Sequence, residues 1–573
     1  MYLVLGTYSN TVGSTPDGAD PAAGADTFLL PVHDDGTPAG EAGCFPRSQL
    51  AAVVRHHEPA RPRWVFERTQ DWYPALLREG TAVERCHDLS LSGAILAQSE
   101  FTSASDYAVR NRAKPPESEP ELPRAVQPVP APADQFTLFD EPAGAGTAVE
   151  DLAAELAGQL EAISMSSHRG RTQLLIAAES AGALIAAEMQ HAGLPWRVDI
   201  HEQLLTEALG PRPPVDTRPR KLEELAVQLR QALNAPSFNP DSPQELIRTL
   251  HRSGIEVKST RSWELEQHKH AAIGPLLEYK KLSRLLAANG WSWLDAWVQD
   301  GRFRPEYVVG GVVTGRWASR GGGALQIPKV IRDAARPDAG HRLVVADAAQ
   351  LEPRVLAALA QDSQLAKAAQ GKDLYAGIAA QGFGDRATAK IAVLGAMYGA
   401  TTGESGRLMP QLAKTYPRAV GFVEQAARTG EVGGTVSSFL GRSSPPPSES
   451  WRQSQSTASA EEQRRADTIA RTRGRFTRNF VVQSTAAEWA MCWLAELRRR
   501  LRASAVEASG TPAGQLVFFL HDEVVVHSPA DRAEEAAGYV SEAAEAATKL
   551  MFGEIPIDFA VQTLIVDSYA DAK

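Results

Sequence analysis

The sequence predicts a multidomain protein of the α+β class. Its 573 residues exceed what one hydrophobic core usually supports, and a hydrophobic fraction of 43% is enough to build several cores. A proline-rich, charged stretch without periodicity predicts a disordered linker at residues 109–150, between an N-terminal unit (1–108) and the remainder (151–573). In the remainder, amphipathic helical patterns dominate, and the strand-like apolar runs cluster around two aspartates, Asp347 and Asp522.

Bulk composition excludes several classes of protein. The chain has 59 Lys+Arg against 69 Asp+Glu, a net charge of −10, which argues against a simple basic nucleic-acid binder. The 3 cysteines (Cys44, Cys86 and Cys492) are too widely spaced for a disulfide framework or a zinc site. The N-terminus lacks the segments of a signal peptide, and no apolar run reaches the roughly 20 residues of a membrane span, so we expect a cytoplasmic protein.

Local patterns predict the smaller elements. In the N-terminal unit, the sequence predicts short strands at residues 64–66 and 82–86 and a helix between them that ends at Gly80. These elements together indicate a small α/β fold. Near the C-terminus, the polar stretch 443–463 has the composition of a mobile loop.

Asp347 stands at the C-terminal end of a predicted strand, HRLVVAD (341–347). The small residues after it, Ala348 and Ala349, let the backbone approach a metal ion, so the Ala348 carbonyl is a candidate ligand. A lone aspartate in such a position is more commonly the N-cap of the next helix, and for Asp347 taken alone this alternative stays open.

Asp522 stands in a predicted hairpin, between the apolar runs LVFFL (516–520) and VVVHS (524–528). Only a few residues separate the runs, so Asp522 and Glu523 lie at the tip, where adjacent acids favour a cation; an ordinary polar turn is the alternative. Brought together by a fold, Asp347 and Asp522 would hold two Mg²⁺ ions. At roughly 3.5–4 Å apart, such ions clamp the attacking and leaving oxygens of an in-line phosphoryl displacement.

Between the two aspartates, the sequence predicts a helix with one functional face. Arg386, Lys390, Leu394 and Tyr398 recur every four residues, so they share a face about 18 Å long. Arg386 offers a fork to a terminal phosphate, Lys390 a point charge to an inner one, and Tyr398 a flat surface to a base pair. An amphipathic helix with two solvated cations is the alternative, but the intervening residues are apolar. With the aspartates, this face indicates a template-directed nucleotidyl transferase.

A third group repeats the same spacing. Arg475, Asn479 and Gln483 are four residues apart, and further arginines surround them. Long polar side chains on one helix face suit sequence-independent contacts with the DNA minor groove. The alternative is the solvated, arginine-rich start of a helix.

Five segments together carry a resemblance to a known family. They are TGRWAS (314–319), LQIPK (325–329), DAAQLEPR (347–354), RATAKIAVLGAMYG (386–399) and HDE (521–523). In this order they resemble the motifs of family A DNA polymerases, the bacterial DNA polymerase I type, and the resemblance covers residues from about 170 to 573. It implies a right-hand polymerase: a thumb at about 170–335, a palm with an antiparallel sheet at about 336–375 and 475–573, and helical fingers at about 376–474.

The resemblance implies a role for each matched position. Asp347, Ala348 and Asp522 would bind two Mg²⁺ ions, with Mn²⁺ as an alternative, and Glu352 would be the steric gate that favours deoxynucleotides. The implied catalytic set is Asp347, Asp522, Glu523 and Lys390. The implied dNTP-binding set is Arg386, Lys390, Leu394, Tyr398, Gln350, Glu352 and Tyr375. The implied DNA-binding set is Arg316, Arg354, Arg475, Asn479, Gln483 and His521.

Four positions depart from the family pattern. Leu394 stands where the family usually has an aromatic residue, Tyr375 where it often has histidine, and Ala348 and Ala349 where it has a Tyr-Ser pair. We expect a polymerase that is slower or less selective than a housekeeping enzyme.

By position, residues 1–108 correspond to the family's 3′–5′ exonuclease domain. The segment 84–96 resembles the part of that fold that ends in a D-x-x-L helix, with Asp88 at the matching position. Such an exonuclease needs four carboxylates that begin with Asp-x-Glu, and residues 1–108 contain no Asp-x-Glu. We expect a degenerate, inactive exonuclease-like domain; retained exonuclease activity is the alternative.

The linker contains one more candidate site. Gln135, Leu138 and Phe139 belong to QFTLF (135–139), which resembles the Q-x-x-L-F peptide with which bacterial polymerases engage the sliding clamp. An apolar anchor on a flexible tether suits docking into a groove. A chance apolar pentad is the alternative.

The leading hypothesis is a monomeric DNA-dependent DNA polymerase of replication and repair, which adds dNMP to a primer 3′-OH by two-metal-ion catalysis. The alternative is an inert DNA-binding or clamp-tethered repair scaffold, although intact Asp347, Asp522, Lys390 and Arg386 argue against decay. The expected partners are primer–template DNA, dNTPs and the sliding clamp, with no membrane and a nucleoid-associated, cytoplasmic location.

Overall fold

The computed structural model describes residues 1–8, 26–112, 147–214, 217–320, 327–371, 373–399, 403–507 and 510–572. Within these ranges the chain forms an N-terminal α/β unit, a largely helical middle, and a C-terminal part in which long helices support a four-stranded sheet. No helix of these ranges is long and apolar enough to cross a membrane. The predicted mixed α+β architecture is confirmed.

The N-terminal unit is built on a five-stranded sheet. Its strands are β1 (Tyr2–Gly6), β2 (Asp26–Val32), β3 (Gly43–Pro46), β4 (Arg63–Phe66) and β5 (Cys86–Asp88). Its helices are α1 (Leu50–His57), α2 (Thr69–Arg78), α3 (Leu89–Gln98) and α4 (Asp106–Asn111). The strand order is β3-β2-β1-β4-β5, in which β1 pairs antiparallel with β2 and parallel with β4, and β5 pairs parallel with β4.

One predicted strand of this unit is misplaced. The strand at 64–66 and the helix ended near Gly80 (φ +66°) are confirmed, but the strand predicted at 82–86 begins only at Cys86. Apart from the Arg85 carbonyl oxygen, which accepts from the Trp64 amide of β4 at 3.2 Å, the backbone before Cys86 is held by side chains. Arg498 donates to the Val83 and Glu84 carbonyl oxygens at 2.6 and 2.7 Å, and a Glu58 carboxylate oxygen accepts from the Glu84 amide.

Two helices beyond the linker cover the faces of this sheet. On one face, α5 (Val149–Met165) packs Leu152 and Leu156 against Val4 and Val65. On the other face, α6 (Arg169–Ala192) inserts Leu184 beside Leu3, Trp64 and Phe66. The N-terminal core therefore requires residues past position 150; the domain boundaries themselves stay a prediction.

The middle of the chain is mostly helical. Its elements are β6 (Leu194–Pro195), α7 (Val198–Leu209), α8 (Arg220–Ala232), α9 (Pro243–Arg252), α10 (Ser262–Leu265), α11 (Ile273–Asn289), α12 (Trp291–Trp297), β7 (Val298–Gln299), β8 (Arg302–Phe303), β9 (Glu306–Val308) and β10 (Ala318–Arg320). The short strands pair as β6-β8-β7 and β10-β9. Tyr279 and Phe303 share a core with Leu343 and Val525, which joins this region to the C-terminal sheet.

The C-terminal part contains the four-stranded sheet and the longest helices. Its elements are β11 (His341–Ala348), α13 (Leu351–Ala360), α14 (Ser363–Ala368), α15 (Leu374–Ala379), α16 (Arg386–Tyr398), α17 (Gly403–Thr415), α18 (Pro417–Glu431), α19 (Glu449–Ser454), α20 (Ala460–Glu507), β12 (Gln515–Leu520), β13 (Glu523–Pro529), α21 (Ala533–Phe552) and β14 (Val561–Val566). The sheet has the order β12-β13-β11-β14 with every pair antiparallel.

Alternation along β11 divides the two faces of this sheet. Val344 and Ala346 join the core built with α20 and α21, whereas Leu343 and Val345 join the core shared with the helical middle. Both faces of the sheet are therefore buried at β11, whereas the edge strand β14 leaves Gln562 and Leu564 exposed.

The mobile loop predicted at 443–463 is wrong in part, because this segment contains a short helix that packs on α20, and α20 itself begins at Ala460. The short helix is α19, whose Trp451 is only 7% exposed, and the Ser448 hydroxyl caps the helix by accepting from the Trp451 amide at 3.1 Å. The Arg473 guanidinium of α20 lies over the Trp451 ring at 5.9 Å. One buried tryptophan thus fixes a stretch whose composition is otherwise polar.

Candidate active site

Asp347 and Asp522 lie side by side at one end of the four-stranded sheet. Asp347 is the penultimate residue of β11, and Asp522 lies in the two-residue turn between β12 and β13. The Ala348 amide donates to the Asp522 carbonyl oxygen at 2.9 Å, so the two strand ends are joined directly. Both aspartate side chains are half-buried. The fold therefore brings together the two carboxylates that the sequence singles out.

Local backbone geometry explains why both carboxylates lie at this end. His521 adopts a left-handed conformation (φ +58°), which reverses the chain between β12 and β13 within two residues. Gln350 is also left-handed (φ +51°) and occupies the N-cap of α13. Asp347 is thus not the N-cap of the next helix, which removes the structural alternative considered for it.

Glu523 points to the interior instead of the tip. It pairs with Asp347 across β13 and β11, is buried, and accepts a hydrogen bond from the Tyr569 hydroxyl. Burial raises the pKa of Tyr569, and the charges of Glu523 and Asp347 raise it further. Glu523 therefore anchors the hairpin to the C-terminal segment, while Asp522 is the more accessible carboxylate of the pair.

The donors at this sheet end fit a hard divalent cation. Asp347 and Asp522 supply carboxylate oxygens, and the Ala348 carbonyl belongs to the same strand end. Mg²⁺ is usually held by one or two carboxylates plus water and substrate phosphates, so it needs no larger protein cage. Among the described ranges, no three His, Cys, Asp or Glu side chains gather into a complete metal cage. The residues suit a Mg²⁺ ion shared with a phosphate ligand.

Helix α16 carries the predicted row of side chains on an accessible face. Arg386, Lys390 and Tyr398 are exposed and Leu394 is half-buried, whereas the opposite face packs into the core. The Asp385 carboxylate caps the N-terminus by accepting from the Thr388 amide at 2.8 Å, and Gly399 ends the helix in the left-handed region (φ +69°). The sequence correctly predicts this helix and its face.

Arg386 is already engaged by a carboxylate that sequence reasoning missed. The Arg386 Nε atom lies 2.6 Å from an Asp373 oxygen, and its guanidinium lies 5.7 Å from the centre of the Tyr375 ring. Burial opposes ionisation of Asp373, but the Arg386 hydrogen bond and charge outweigh it, so the pKa of Asp373 is lowered. Burial, and then the charge of Glu352, raise the pKa of Tyr375 to about 12. Asp373 also caps α15, and an aspartate at a predicted helix start is the sequence signal that could have singled it out.

Glu352 connects the sheet end to α16. One carboxylate oxygen accepts from the Tyr398 hydroxyl at 2.8 Å, and the other accepts from the Arg316 guanidinium. His521 lies near both charges. The pKa of His521 is lowered, because loss of hydration and the charge of Arg316 outweigh the charge of Glu352. Residues from four separate segments of the sequence therefore meet at Glu352, beside Asp347 and Asp522.

Two predicted site residues have structural roles. Gln350 accepts from the Leu374 amide at 2.9 Å and lies 3.4 Å from an Asp373 oxygen, which fixes the start of α15. Arg354, predicted to contact DNA, is 0% exposed and donates to the carbonyl oxygens of Ala349, Ala369, Gly371 and Asp558. Burial lowers its pKa. Its DNA-binding assignment is corrected, because its guanidinium bonds to buried backbone.

The row on α20 is only partly accessible. Arg475 is exposed, Gln483 is half-buried and Asn479 is 8% exposed, and the Asn479 Oδ1 atom has no hydrogen-bond partner within the described part of the chain. Of the five surrounding arginines, Arg464, Arg465 and Arg471 are exposed, as the alternative of a solvated helix start expects, but the other two are internal. Arg478 is buried between Glu424 and the Ala396 carbonyl, and Arg473 is buried beneath α19.

Asp88 of the N-terminal unit is sealed into the fold. Its carboxylate accepts from the Thr69 amide at 2.7 Å and caps α3 by accepting from the Leu91 amide at 3.0 Å. Burial raises the pKa of Asp88. The predicted clamp-binding residues Gln135, Leu138 and Phe139 lie outside the described residues.

The chain is similar to known proteins of one family. Residues 216–569 match the model of DNA polymerase family A. Over 387 residues the chain is 26% identical to the thermostable DNA polymerase I of Thermus filiformis, covering 60% of this chain and 43% of that protein. Over 386 residues it is 26% identical to DNA polymerase I of Treponema pallidum (strain Nichols), covering 60% of this chain and 35% of that protein. The chain thus spans less than half the length of these curated relatives.

The fold resembles a solved polymerase structure along nearly its whole length. That structure is the POL domain of Pol1 from M. smegmatis in complex with DNA primer-template and dNTP, at a TM-score of 0.68 and 20% sequence identity. The match covers 96% of this chain and 93% of that one, and at this identity it shows the fold alone. Because the family model matches more than half of the residues, the chain belongs to DNA polymerase family A and is DNA polymerase I-like.

Proposed function

We propose that this protein is a template-directed, DNA-dependent DNA polymerase that acts in replication and repair. The observation that supports this most is the position of Asp347 and Asp522 at one strand end, next to the accessible face of α16. Glu352 lies five residues after Asp347, in α13, and accepts a hydrogen bond from Tyr398 of α16, which links the sheet end to the accessible face of that helix. This combination suits a nucleoside triphosphate held against a metal site.

In the proposed reaction, the primer 3′-hydroxyl oxygen attacks the α-phosphorus of a dNTP and pyrophosphate leaves. Two divalent ions bound to Asp347, Asp522 and the Ala348 carbonyl would lower the pKa of the attacking hydroxyl and neutralise charge on the leaving oxygens. Arg386 binds the terminal phosphate with its planar fork, and Lys390 neutralises an inner phosphate. The half-buried aspartates and the exposed cations thus have complementary tasks.

Base and sugar contacts are assigned to the opposite end of α16. Tyr398 presents its ring where the nascent base pair would stack, and its hydroxyl orients Glu352 as the steric gate against a ribose 2′-OH. Leu394 contributes only aliphatic contact at a position where the resemblance implies an aromatic ring, so we propose weaker sugar discrimination. Tyr375, one helix earlier, lies beneath Arg386 and limits its movement.

The primer–template would lie against side chains that converge near Glu352 and along α20. The proposed DNA contacts are Arg316, Arg475, Asn479, Gln483 and His521. The Asn479 Oδ1 atom, which has no hydrogen-bond partner among the residues that the structure describes, supports this, because a buried acceptor without a partner gains most from a ligand donor. The related POL domain was solved with primer-template DNA and dNTP, which supports the same two ligands here.

The N-terminal unit is proposed to be an inactive exonuclease-like domain. Its one matched carboxylate, Asp88, is buried and caps a helix, which leaves it poorly placed to hold a metal ion. The peptide at 135–139 is proposed to bind the sliding clamp. Unchanged clamp binding after combined Leu138→Ala and Phe139→Ala substitution would refute that part.

Primer extension tests the polymerase assignment. The wild type, Asp347→Ala and Asp522→Ala would be incubated with labelled primer–template, Mg²⁺ and dNTPs, and one lane without dNTPs would report 3′–5′ degradation. We expect extension by the wild type alone and no primer shortening in the lane without dNTPs.

Other outcomes would redirect the assignment. Wild-type protein that binds primer–template tightly but does not extend it would favour a DNA-binding repair scaffold. Primer shortening that persists in both palm variants would favour a functional exonuclease.

A further inference from the structure

A cavity of about 870 Å³ opens in the N-terminal unit, away from the polymerase cleft. It lies where the first residues of β1 and β4 meet the second half of α5 and the first half of α6. Ligand pockets commonly measure about 300–1,000 Å³, so this space is large enough for a small organic ligand. None of the residues proposed for DNA synthesis lines it.

Strand register places this cavity on a different face of the sheet from Asp88. Tyr2 pairs with Arg63, and Val65 pairs with His87, so Tyr2, Arg63 and His87 point to the α5 side. Asp88 is the next residue along β5 and alternates to the opposite face. The cavity is therefore separate from the site that the exonuclease resemblance would predict.

Three arginines line the cavity: Arg63, Arg85 and Arg169. Within the described part of the chain, none of them lies within salt-bridge distance of a carboxylate. Arg63 donates to the Cys86 carbonyl at 3.1 Å and Arg85 to the Arg61 carbonyl, which fixes their direction and leaves other N–H groups of each fork available. Preorganised guanidinium forks are the usual protein partners of phosphoryl groups.

The other walls suit the nucleoside half of a ligand. Ile163 and Ile176 provide apolar surface, and the half-buried Tyr2 ring borders the same space. Glu161 provides a carboxylate, which accepts from hydroxyl and amino groups but repels a bare phosphate, whereas an Asp34 oxygen already accepts from the Met1 amino group at 2.7 Å. Burial lowers the pKa of His87 to about 4, and its Nε2 atom lies 2.8 Å from Gln159 Oε1, so the ring stays neutral.

We infer that this cavity is a mononucleotide-binding site, with the phosphate on Arg63, Arg85 and Arg169 and the nucleoside against Tyr2, Ile163 and Ile176. A ligand that combines one anionic group with a flat apolar ring and hydroxyl or amino donors matches all three kinds of wall. This site is independent of the polymerase assignment, because none of its residues borders the cleft at Asp347.

Calorimetric titration of the full chain with dAMP tests the site. Arg386→Ala and Lys390→Ala would be combined as a background that removes the phosphate-binding cations of the polymerase cleft. In that background we expect saturable 1:1 binding of dAMP, with deoxyadenosine and inorganic phosphate each binding at least about tenfold more weakly, because each lacks one half of the contacts.

Substitutions at the arginines locate the binding. Arg169 is exposed, and Arg169→Gln alone is expected to weaken dAMP binding about tenfold. The double variant that combines Arg63→Gln with Arg169→Gln is expected to weaken dAMP binding further. Arg78→Gln with Arg110→Gln, on the same unit but outside the cavity, is the matched control and should leave binding within about twofold. Thermal melting of every variant would confirm that the unit stays folded.

Three results would overturn the inference. The first is that dAMP does not bind to the background protein, and the second is that dAMP and inorganic phosphate bind equally well. The third is that neither Arg169→Gln nor the double variant changes dAMP binding. A single-stranded oligonucleotide that binds there while dAMP does not would equally reject a mononucleotide site.

Discussion

Two sheets of this molecule each place an aspartate at or next to the end of a strand, and they use it in opposite ways. In the C-terminal sheet, Asp347 and Asp522 lie half-buried at a shared strand end, beside cations on an accessible helix face. In the N-terminal sheet, Asp88 is 3% exposed and its oxygens accept from two backbone amides. A strand-end aspartate thus becomes a candidate ligand or a structural cap, depending on how soon the next helix begins.

The residues immediately after each aspartate explain the difference. After Asp88, α3 begins at once, so the carboxylate takes the N-cap position and bonds to Leu91. After Asp347, two alanines and the left-handed Gln350 intervene before α13, so the helix is capped three residues later. The Asp347 carboxylate therefore stays at the sheet end.

The largest expected effect tests the polymerase half of this comparison. Asp347→Asn or Asp522→Asn should lower primer extension by about 10³-fold, because each removes a carboxylate charge worth several kcal/mol in a metal-assisted transition state. The melting temperature should change little, since both side chains are half-buried. Steady-state extension assays and thermal melting would measure both effects. Activity within tenfold of the wild type in either variant would contradict the assignment.

The next effect concerns the cations of α16. Lys390→Ala should lower kcat/KM for dNTP by about 10²-fold, because a charge-assisted contact of roughly 1.5–3 kcal/mol to the triphosphate is lost. Single-nucleotide incorporation at varied dNTP concentration would show it. Lys367→Ala, at an exposed lysine on α14, is the control and should have no effect. Equal losses in both variants would indicate a general charge effect instead.

The third effect tests the structural half of the comparison. Asp88→Ala should lower the free energy of unfolding of the N-terminal unit by about 1–2 kcal/mol, through loss of an N-cap, and should leave primer extension unchanged. Urea unfolding followed by tryptophan fluorescence would measure this change in the free energy of unfolding. Asp106→Ala, at an accessible helix start, is the control variant. Loss of polymerase activity without loss of stability would mean that Asp88 is functional after all.

The smallest effect sharpens the link between the sheet and α16. Tyr398→Phe removes the hydroxyl that donates to Glu352 at 2.8 Å, but keeps the ring. A charge-assisted hydrogen bond of about 1–2 kcal/mol predicts roughly a fivefold to thirtyfold loss of discrimination between dNTP and rNTP, with kcat for dNTP nearly unchanged. Competitive incorporation assays would report the ratio. An unchanged ratio would show that Glu352 does not need Tyr398 to act as the gate.

Much of the site could be predicted because its parts are local in sequence. The spacing of Arg386, Lys390 and Tyr398 defines a helix face by itself, and two apolar runs around His521 and Asp522 define a hairpin. Arg354 could not be predicted, because a single arginine next to the motif gives no signal of burial. Its environment consists of carbonyl oxygens from distant segments, such as that of Asp558.

The sequence by itself determined the family, the pair of aspartates and the cationic helix, because each depends on short-range periodicity or on motif order. Only the tertiary structure decided which charged groups are accessible and which are internal. It set Asp373 against Arg386, put Glu352 between Arg316 and Tyr398, and sealed Asp88 beneath Thr69. The physical reason is that burial and long-range pairing depend on which chain segments pack together, and that information is distributed over the whole sequence.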